Sequence, residues 1–299
     1  MPDPPAAAPN DWTIGKLLTW TRSHFESSGV DEPRLSAEIL LAHALGCRRI
    51  DLYARFEQAP TEPQRATFRE LVRKAAEHQP IAYLVGHKEF YSLDFLVTPD
   101  VLIPRPETEL LVEQALAWCA THPQDRYDLL DVGTGSGCIA VAICKRQASV
   151  HAVATDVSDA ALAVAAENAR RHELAERIRT MRADLFNLPP DVVPPGKFNL
   201  IVSNPPYVSE TDRDSLPENV RKYEPAAALF AGADGLDVFR RIATDVTRYL
   251  RLGGLLLVEV GMGQAKSVDE IFAAHGLKSQ ARFKDVNGIE RALAFTLPA

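Results

Sequence analysis

Asp131-Val132-Gly133-Thr134-Gly135-Ser136-Gly137 closes an apolar run, Tyr127 to Val132, and opens a helical pattern, Cys138 to Cys144. Three glycines between a strand and a helix lie where the backbone must turn sharply and approach a ligand closely. Their spacing is G-x-G-x-G. A dinucleotide fingerprint would place glycine at 138, where Cys138 stands, and no Gly-Lys-Ser/Thr follows to make a phosphate loop. The next strand pattern, Val150 to Thr155, runs into Asp156, the position from which a carboxylate accepts hydrogen bonds from both hydroxyls of a ribose. Asp131, at the first strand tip, is placed to face a positive ammonium. Together these residues describe an adenosine-bearing ligand without a pyrophosphate, a description that S-adenosylmethionine fits. In the plainer reading the glycines only make a tight turn and Asp156 caps a helix, but an acid at each of two strand ends favours the ligand. Asp184, after the third strand, falls where an adenine amino group would need an acceptor, or where it would cap the following turn.

Outward from this loop, strand and helix patterns alternate from Glu107 to the C-terminus. Strands are expected at 127–132, 150–155, 178–181, 198–202, 254–260 and 291–297, and helices at 110–118, 138–144, 159–172, 238–250 and 264–274. Repeated β-then-α units imply an α/β fold with a doubly wound, Rossmann-like parallel sheet and its ligand at the carboxyl ends of the strands. Upstream, Ile14, Leu17, Leu18 and Phe25, then Leu35, Ile39 and Leu40, recur at helical spacing. Thr61-Glu62-Pro63-Gln64 has the form of a capping box ahead of Phe68, Leu71 and Val72. Between Ile81 and Pro104 short runs, Phe90-Tyr91 and Phe95-Leu96-Val97, punctuated by Gly86 and Thr98-Pro99-Asp100, suggest a β-hairpin. The expected organisation is a disordered lead-in at 1–12, a helical bundle at 13–80, a hairpin linker at 81–106 and the α/β domain at 107–299.

The composition, 46% hydrophobic and 24% charged over 299 residues, is that of a globular chain. No apolar run approaches the roughly 20 residues that a membrane-spanning helix needs, and Met1 to Asn10 lacks the basic start and apolar centre of a secretory signal. A cytoplasmic chain is expected. Cys47, Cys119, Cys138 and Cys144 form no C-x-x-C pair and the histidines no H-E-x-x-H, so buried thiols and no metal are expected. A net charge of −7 argues against a broad basic face for nucleic acid.

The fourth strand ends in Ser203-Asn204-Pro205-Pro206-Tyr207. Consecutive prolines fix two φ angles and push the preceding residue out of the helical region, so Asn204 projects rigidly from the strand tip. They also remove two N–H donors, leaving the Asn204 side-chain oxygen and the Pro205 carbonyl as neighbouring acceptors. Two acceptors suit a planar NH2 group, either an amide or an exocyclic base amine. Such a nitrogen attacks poorly unless its hydrogens are held and it is aimed. Tyr207 offers a π face to clamp a flat group and to sit near a sulfonium.

With these motifs the chain resembles the release factor glutamine methyltransferases of the PrmC/HemK family, which use S-adenosylmethionine. The resemblance extends to Ile103-Pro104-Arg105-Pro106-Glu107-Thr108-Glu109, to Tyr223-Glu224-Pro225 with Ala228-Leu229 and Gly235-Leu236, and to Asp285 with Gly288 and Arg291. It implies a small helical domain joined by a hairpin to a seven-stranded methyltransferase domain. It also implies methylation of the side-chain amide of the glutamine in the Gly-Gly-Gln motif of class I peptide chain release factors. On that resemblance Gly133 to Gly137 and Asp156 bind the cofactor, and Asp131, Asp184, Leu185 and Asn204 complete the expected cofactor contacts. Asn204, Pro205, Pro206 and Tyr207 hold the glutamine amide, and Arg105, Glu107 and Thr108 line the cleft. Ser92 stands where many members have glycine, and Leu185 where some have an aromatic residue. The alternative is a nucleic-acid methyltransferase acting on the exocyclic amine of adenine or guanine, since the tetrapeptide suits a base amine equally well.

Overall fold

A computed structural model describes residues 12–194 and 197–298 and divides into two units. One is the chain up to Gly86 with Glu218–Tyr223; the other is His87–Pro217 with Glu224–Ala299. The expected disordered lead-in lies outside the described residues except for Trp12.

The first unit is helical: α1 (Ile14–Ser28), α2 (Pro33–Leu45), α3 (Arg49–Ala54), α4 (Glu62–Ala76) and α5 (Ile81–Val85). Thr13 caps α1 by accepting from the Lys16 N–H, and Thr61 with Gln64 forms the capping box of α4. Ile14, Phe25, Leu40, Leu41, Leu52, Phe68 and Val72 are buried as its core. Two features differ from expectation. Ile81–Val85 is a helix, ended by Gly86 in the left-handed region, and Val85 joins the helical core. Glu218–Tyr223, expected within the α/β domain, is a short helix of this unit, α9, whose Tyr223 hydroxyl donates to the Glu77 carbonyl at 2.9 Å.

The second unit opens with a hairpin, β1 (His87–Phe90) and β2 (Leu93–Leu96), turned by Tyr91 and Ser92 at φ 51° and 58°. Two successive left-handed residues make a tight I′-type turn, a conformation that glycine adopts more readily than Ser92. The hairpin packs within this unit. Phe90 and Phe95 are buried among the core side chains of α6 (Glu109–Thr121) and α7 (Cys138–Arg146). Asn168 also ties the Leu96 backbone to the Ser136 carbonyl through three hydrogen bonds at 2.8–3.0 Å.

Seven strands form the main sheet in the order β5-β4-β3-β6-β7-β9-β8. These are β3 (Tyr127–Val132), β4 (Val150–Asp156), β5 (Ile178–Arg182), β6 (Phe198–Ser203), β7 (Leu250–Glu259), β8 (Lys278–Lys284) and β9 (Glu290–Thr296). The first five are parallel, and β9 and β8 run antiparallel at one edge. Helix α8 (Asp159–Arg171) follows β4, and α10 (Asp237–Tyr249) and α11 (Ala265–Ala274) flank β7. β6 is buried along its whole length, as a strand covered on both faces must be. The residues of β8, absent from the expected strands, are mostly exposed and include Lys278, Arg282 and Lys284. Charged residues keep an edge strand from pairing with other chains and also erase its apolar period. Strand order reverses beside β3, so the crevice at the carboxyl ends of β3 and β6 is the topological switch point. Register sets Val132 against both Thr155 and Ser203, and Ser203 against Val258, aligning the tips of β3, β4, β6 and β7.

Candidate active site

At that crevice lies a cavity of about 290 Å³, near the lower end of the roughly 300–1,000 Å³ usual for small-ligand sites. Its wall includes Gly133, Thr134, Gly135, Ser136, Asp156, Asp184, Leu185, Arg105, Thr108, Asn204 and Pro206. The loop from β3 to α7 holds Gly133, Gly135 and Gly137 at φ 73°, 53° and 80°. A Cβ at Gly133 or Gly135 would meet no protein atom within 4 Å, so backbone conformation selects glycine there and leaves the loop open to a ligand. A Cβ at Gly137 would sit 3.1 Å from the Ala165 Cβ, so helix packing selects the third.

Asp156 stands on the cavity wall, and its carboxylate also shapes the loop. Oδ2 accepts from the Gly135 N–H and Oδ1 from the Ser158 N–H, both at 3.0 Å. The Ser158 hydroxyl, rather than Asp156, caps α8. Asp131 sits deeper than Asp156. It is fully buried behind the loop, where Oδ2 accepts from the Thr134 hydroxyl at 2.7 Å and braces the turn, while Oδ1 has no hydrogen-bond partner among the described residues. Burial pushes its carboxyl up to about 7, against the pull of the Thr134 hydrogen bond. Asp184 reaches the wall, where each of its carboxylate oxygens accepts from the Arg241 guanidinium at 2.8 Å and keeps a further lone pair. Leu185, beside it, has φ 52°, an unusual conformation for a residue with a side chain.

The Asn204–Tyr207 segment leaves β6 clamped from several sides. The Gln264 amide donates to the Tyr207 carbonyl at 2.9 Å, and Val208 pairs with the backbone of Leu229 and Ala231. Gly235 lies so close that a Cβ there would meet the Tyr207 carbonyl at 2.3 Å, which is the physical content of the Gly235-Leu236 likeness. Asn204 and Pro206 face the cavity; Pro205 is buried, and Tyr207 turns its hydroxyl to Glu259 at 3.2 Å. Arg105 lines the wall and pairs with Glu224, whose other oxygen accepts from the Ile103 N–H at 3.2 Å. Glu107 is half-buried beside the cavity but does not line it.

Sequence reasoning missed Glu259. It ends β7, is 2% exposed and accepts from the Thr108 hydroxyl at 2.6 Å, while Thr108 accepts from the Asn204 amide at 3.1 Å. Burial pushes its carboxyl up to about 7, the hydrogen bonds of Thr108 and Tyr207 pulling the other way. An acid at a parallel strand tip was the signal that singled out Asp131 and Asp156, and Glu259 carries the same signal. Glu224 offered only its place in the Tyr-Glu-Pro segment.

Residues 16–86 match the family described as PrmC N-terminal domain, and residues 108–220 the one described as methyltransferase small domain. Release factor glutamine methyltransferase of Rhodopirellula baltica is 43% identical over 288 residues, covering 95% of this chain and 96% of that protein. Its namesake from Geobacter sulfurreducens is 43% identical over 285 residues, covering 95% and 97%. Among solved structures, the N-terminal domain of human METTL16 in complex with SAH is 18% identical, covers 76% of this chain and 84% of that one, and superposes with a TM-score of 0.53; this likeness concerns the fold alone. Among the described residues no helix is long and apolar enough to cross a membrane. Identity at the level of the two bacterial relatives, running nearly end to end, reaches beyond a shared sheet: the chain belongs to the release factor glutamine methyltransferase family.

Proposed function

We propose that the protein transfers a methyl group from S-adenosylmethionine to the side-chain amide nitrogen (N5) of the glutamine in the Gly-Gly-Gln motif of class I peptide chain release factors. The carrying observation is that Asn204 stands on the wall of the cavity that Gly133, Gly135 and Asp156 also line. The cavity fits the donor's chemistry: an open glycine backbone, a carboxylate at the β4 tip for ribose hydroxyls, and Asp184 and Leu185 where the base would lie. When bound, S-adenosylmethionine supplies a methyl group on a sulfonium, activated toward weak nucleophiles. The remaining work is positioning. Asn204 Oδ1 and the Pro205 carbonyl accept the two hydrogens of the substrate amide, Pro206 and the Tyr207 ring confine its plane, and Arg105 with Glu107 borders the entrance. Holding such a nitrogen in place contributes about 7–11 kcal/mol in favourable cases, enough to make geometry the main source of rate.

Asp131 takes a supporting role in this assignment, bracing Thr134 in the loop. The helical unit is assigned to gripping the folded release factor, whose flanking glycines let a loop backbone enter where bulkier residues would clash. Translation termination places this work in the cytoplasm. Incubating the protein with methyl-labelled donor and either a class I release factor or bulk RNA tests the reading. Label in the release factor is expected; label in RNA with the factor unmodified overturns it in favour of a base-amine enzyme.

A further inference from the structure

We propose that Glu259 and Thr108 are positioning residues for methyl transfer, forming a buried relay that turns the Asn204 amide so that its oxygen faces the cavity. The inference rests on the function proposed above. Its elements come from three separate strand or helix ends. Glu259 closes β7, Asn204 follows β6 in the neighbouring register, and Thr108 ends the 3-10 turn before α6. Glu259 and Thr108 are each 2% exposed. A threonine hydroxyl carries one hydrogen, and here it goes to Glu259 Oε2 at 2.6 Å. What remains on Thr108 Oγ1 is acceptor capacity, so only the NH2 end of Asn204 can sit against it, as Nδ2 does at 3.1 Å.

Asn204 Oδ1 is thereby the end left for a substrate. The reverse orientation would set the Asn204 NH2 against the NH2 of a glutamine amide, two donors with no acceptor between them. The second carboxylate oxygen of Glu259 accepts from the Tyr207 hydroxyl at 3.2 Å, so one buried acid holds the Tyr207 end of the Asn-Pro-Pro-Tyr segment directly and the Asn204 end through Thr108. Glu259 does not line the cavity that Asn204 and Thr108 line, and acts through its neighbours.

The test uses the full chain with S-adenosylmethionine and a class I release factor. Thr108→Val keeps the shape but removes the hydroxyl; kcat is expected to fall roughly 10- to 100-fold, the scale of a small misplacement at a reacting centre. KM for the factor and affinity for S-adenosylhomocysteine should stay within about threefold, and Thr108→Ser should recover most of kcat. Because the relay acts through Asn204, Thr108→Val should add little in an Asn204→Ala background, measured by single turnover. Glu259→Leu should lower kcat likewise and add little to Thr108→Val; if it does not fold, the Thr108 variants still decide. A readout without turnover is the Asn204 side-chain amide resonance in nitrogen-15-labelled protein. It should move in Thr108→Val and return in Thr108→Ser. Unchanged kcat, additive losses or an unmoved resonance overturn the relay. A wild type inactive on the release factor, with the resonance moving as expected, overturns the proposed function and leaves the relay standing.

Discussion

Asp156 is the residue whose replacement separates a ligand-binding carboxylate from a structural one. Both oxygens already accept a backbone N–H at 3.0 Å, Gly135 on Oδ2 and Ser158 on Oδ1, so lone pairs of the same two atoms remain for ribose hydroxyls. A hydrogen bond to a charged acceptor contributes about 1.5–3 kcal/mol, which sets the loss of S-adenosylhomocysteine affinity in Asp156→Ala at roughly 10- to 150-fold. Freeing Gly135 can only add to that loss, because the loop must be re-ordered on binding. The structure makes a sharper claim for Asp156→Asn. An asparagine has a single acceptor oxygen, so its NH2 must face one of the two N–H groups, and two donors then oppose each other. The conservative variant should therefore bind about as weakly as the alanine variant. Titration calorimetry on wild type and both variants, with circular-dichroism melts to confirm folding, decides it. An Asp156→Ala affinity equal to wild type, or tight binding of NAD by the wild type, refutes the cofactor assignment. An Asp156→Asn affinity near wild type refutes the account of the two backbone contacts.

Asn204→Ala should remove most methyl transfer, with kcat and kcat/KM falling together while S-adenosylhomocysteine affinity stays within a few-fold; equal turnover would exclude its role. Asn204→Asp should also be impaired, since a negative charge replaces the donor that Thr108 accepts. The carboxyls of Glu259 and Asp131, both raised to about 7, bind a proton more tightly folded than unfolded. Their stabilising contribution is complete below the unfolded values near 4, and is lost as pH rises through about 7, by about 4 kcal/mol per group as an upper order of magnitude. Urea melts at pH 5 and pH 8 should show a smaller loss in Glu259→Gln than in wild type; equal losses would contradict the raised value. Ser92→Gly should stabilise the second unit by about 1 kcal/mol, because the left-handed turn position penalises a side chain; an unchanged or lower denaturation midpoint would count against that.

Most of the sheet was legible because buried parallel strands are written as continuous apolar runs: β3 and β6 stand where Tyr127 to Val132 and Phe198 to Val202 place them. Edges and short elements were not. β8 is hidden by the charges that protect its edge, and Ile81–Val85, five apolar residues long, is too short for a helical period to show against a strand. The site divides in the same way. The glycine loop and the Asn204–Tyr207 tip are local, each fixed by residues adjacent in the chain. The groups that hold them are remote: Glu224 lies 119 positions from Arg105 and Glu259 lies 151 from Thr108. No spacing rule links such pairs, and only the register of β6 against β7 brings the second pair to Asn204. Burial likewise separated Asp131 from Asp156, two acids at aligned strand tips that read alike in the sequence.

The acceptor atom is the central claim, and tandem mass spectrometry of a class I release factor after incubation with the wild-type protein and S-adenosylmethionine addresses it directly. The account predicts a single added methyl on the side chain of the Gly-Gly-Gln glutamine, absent when that glutamine is replaced by asparagine, whose amide is one methylene shorter. Methyl groups found on RNA or DNA bases while that glutamine remains unmodified would contradict it.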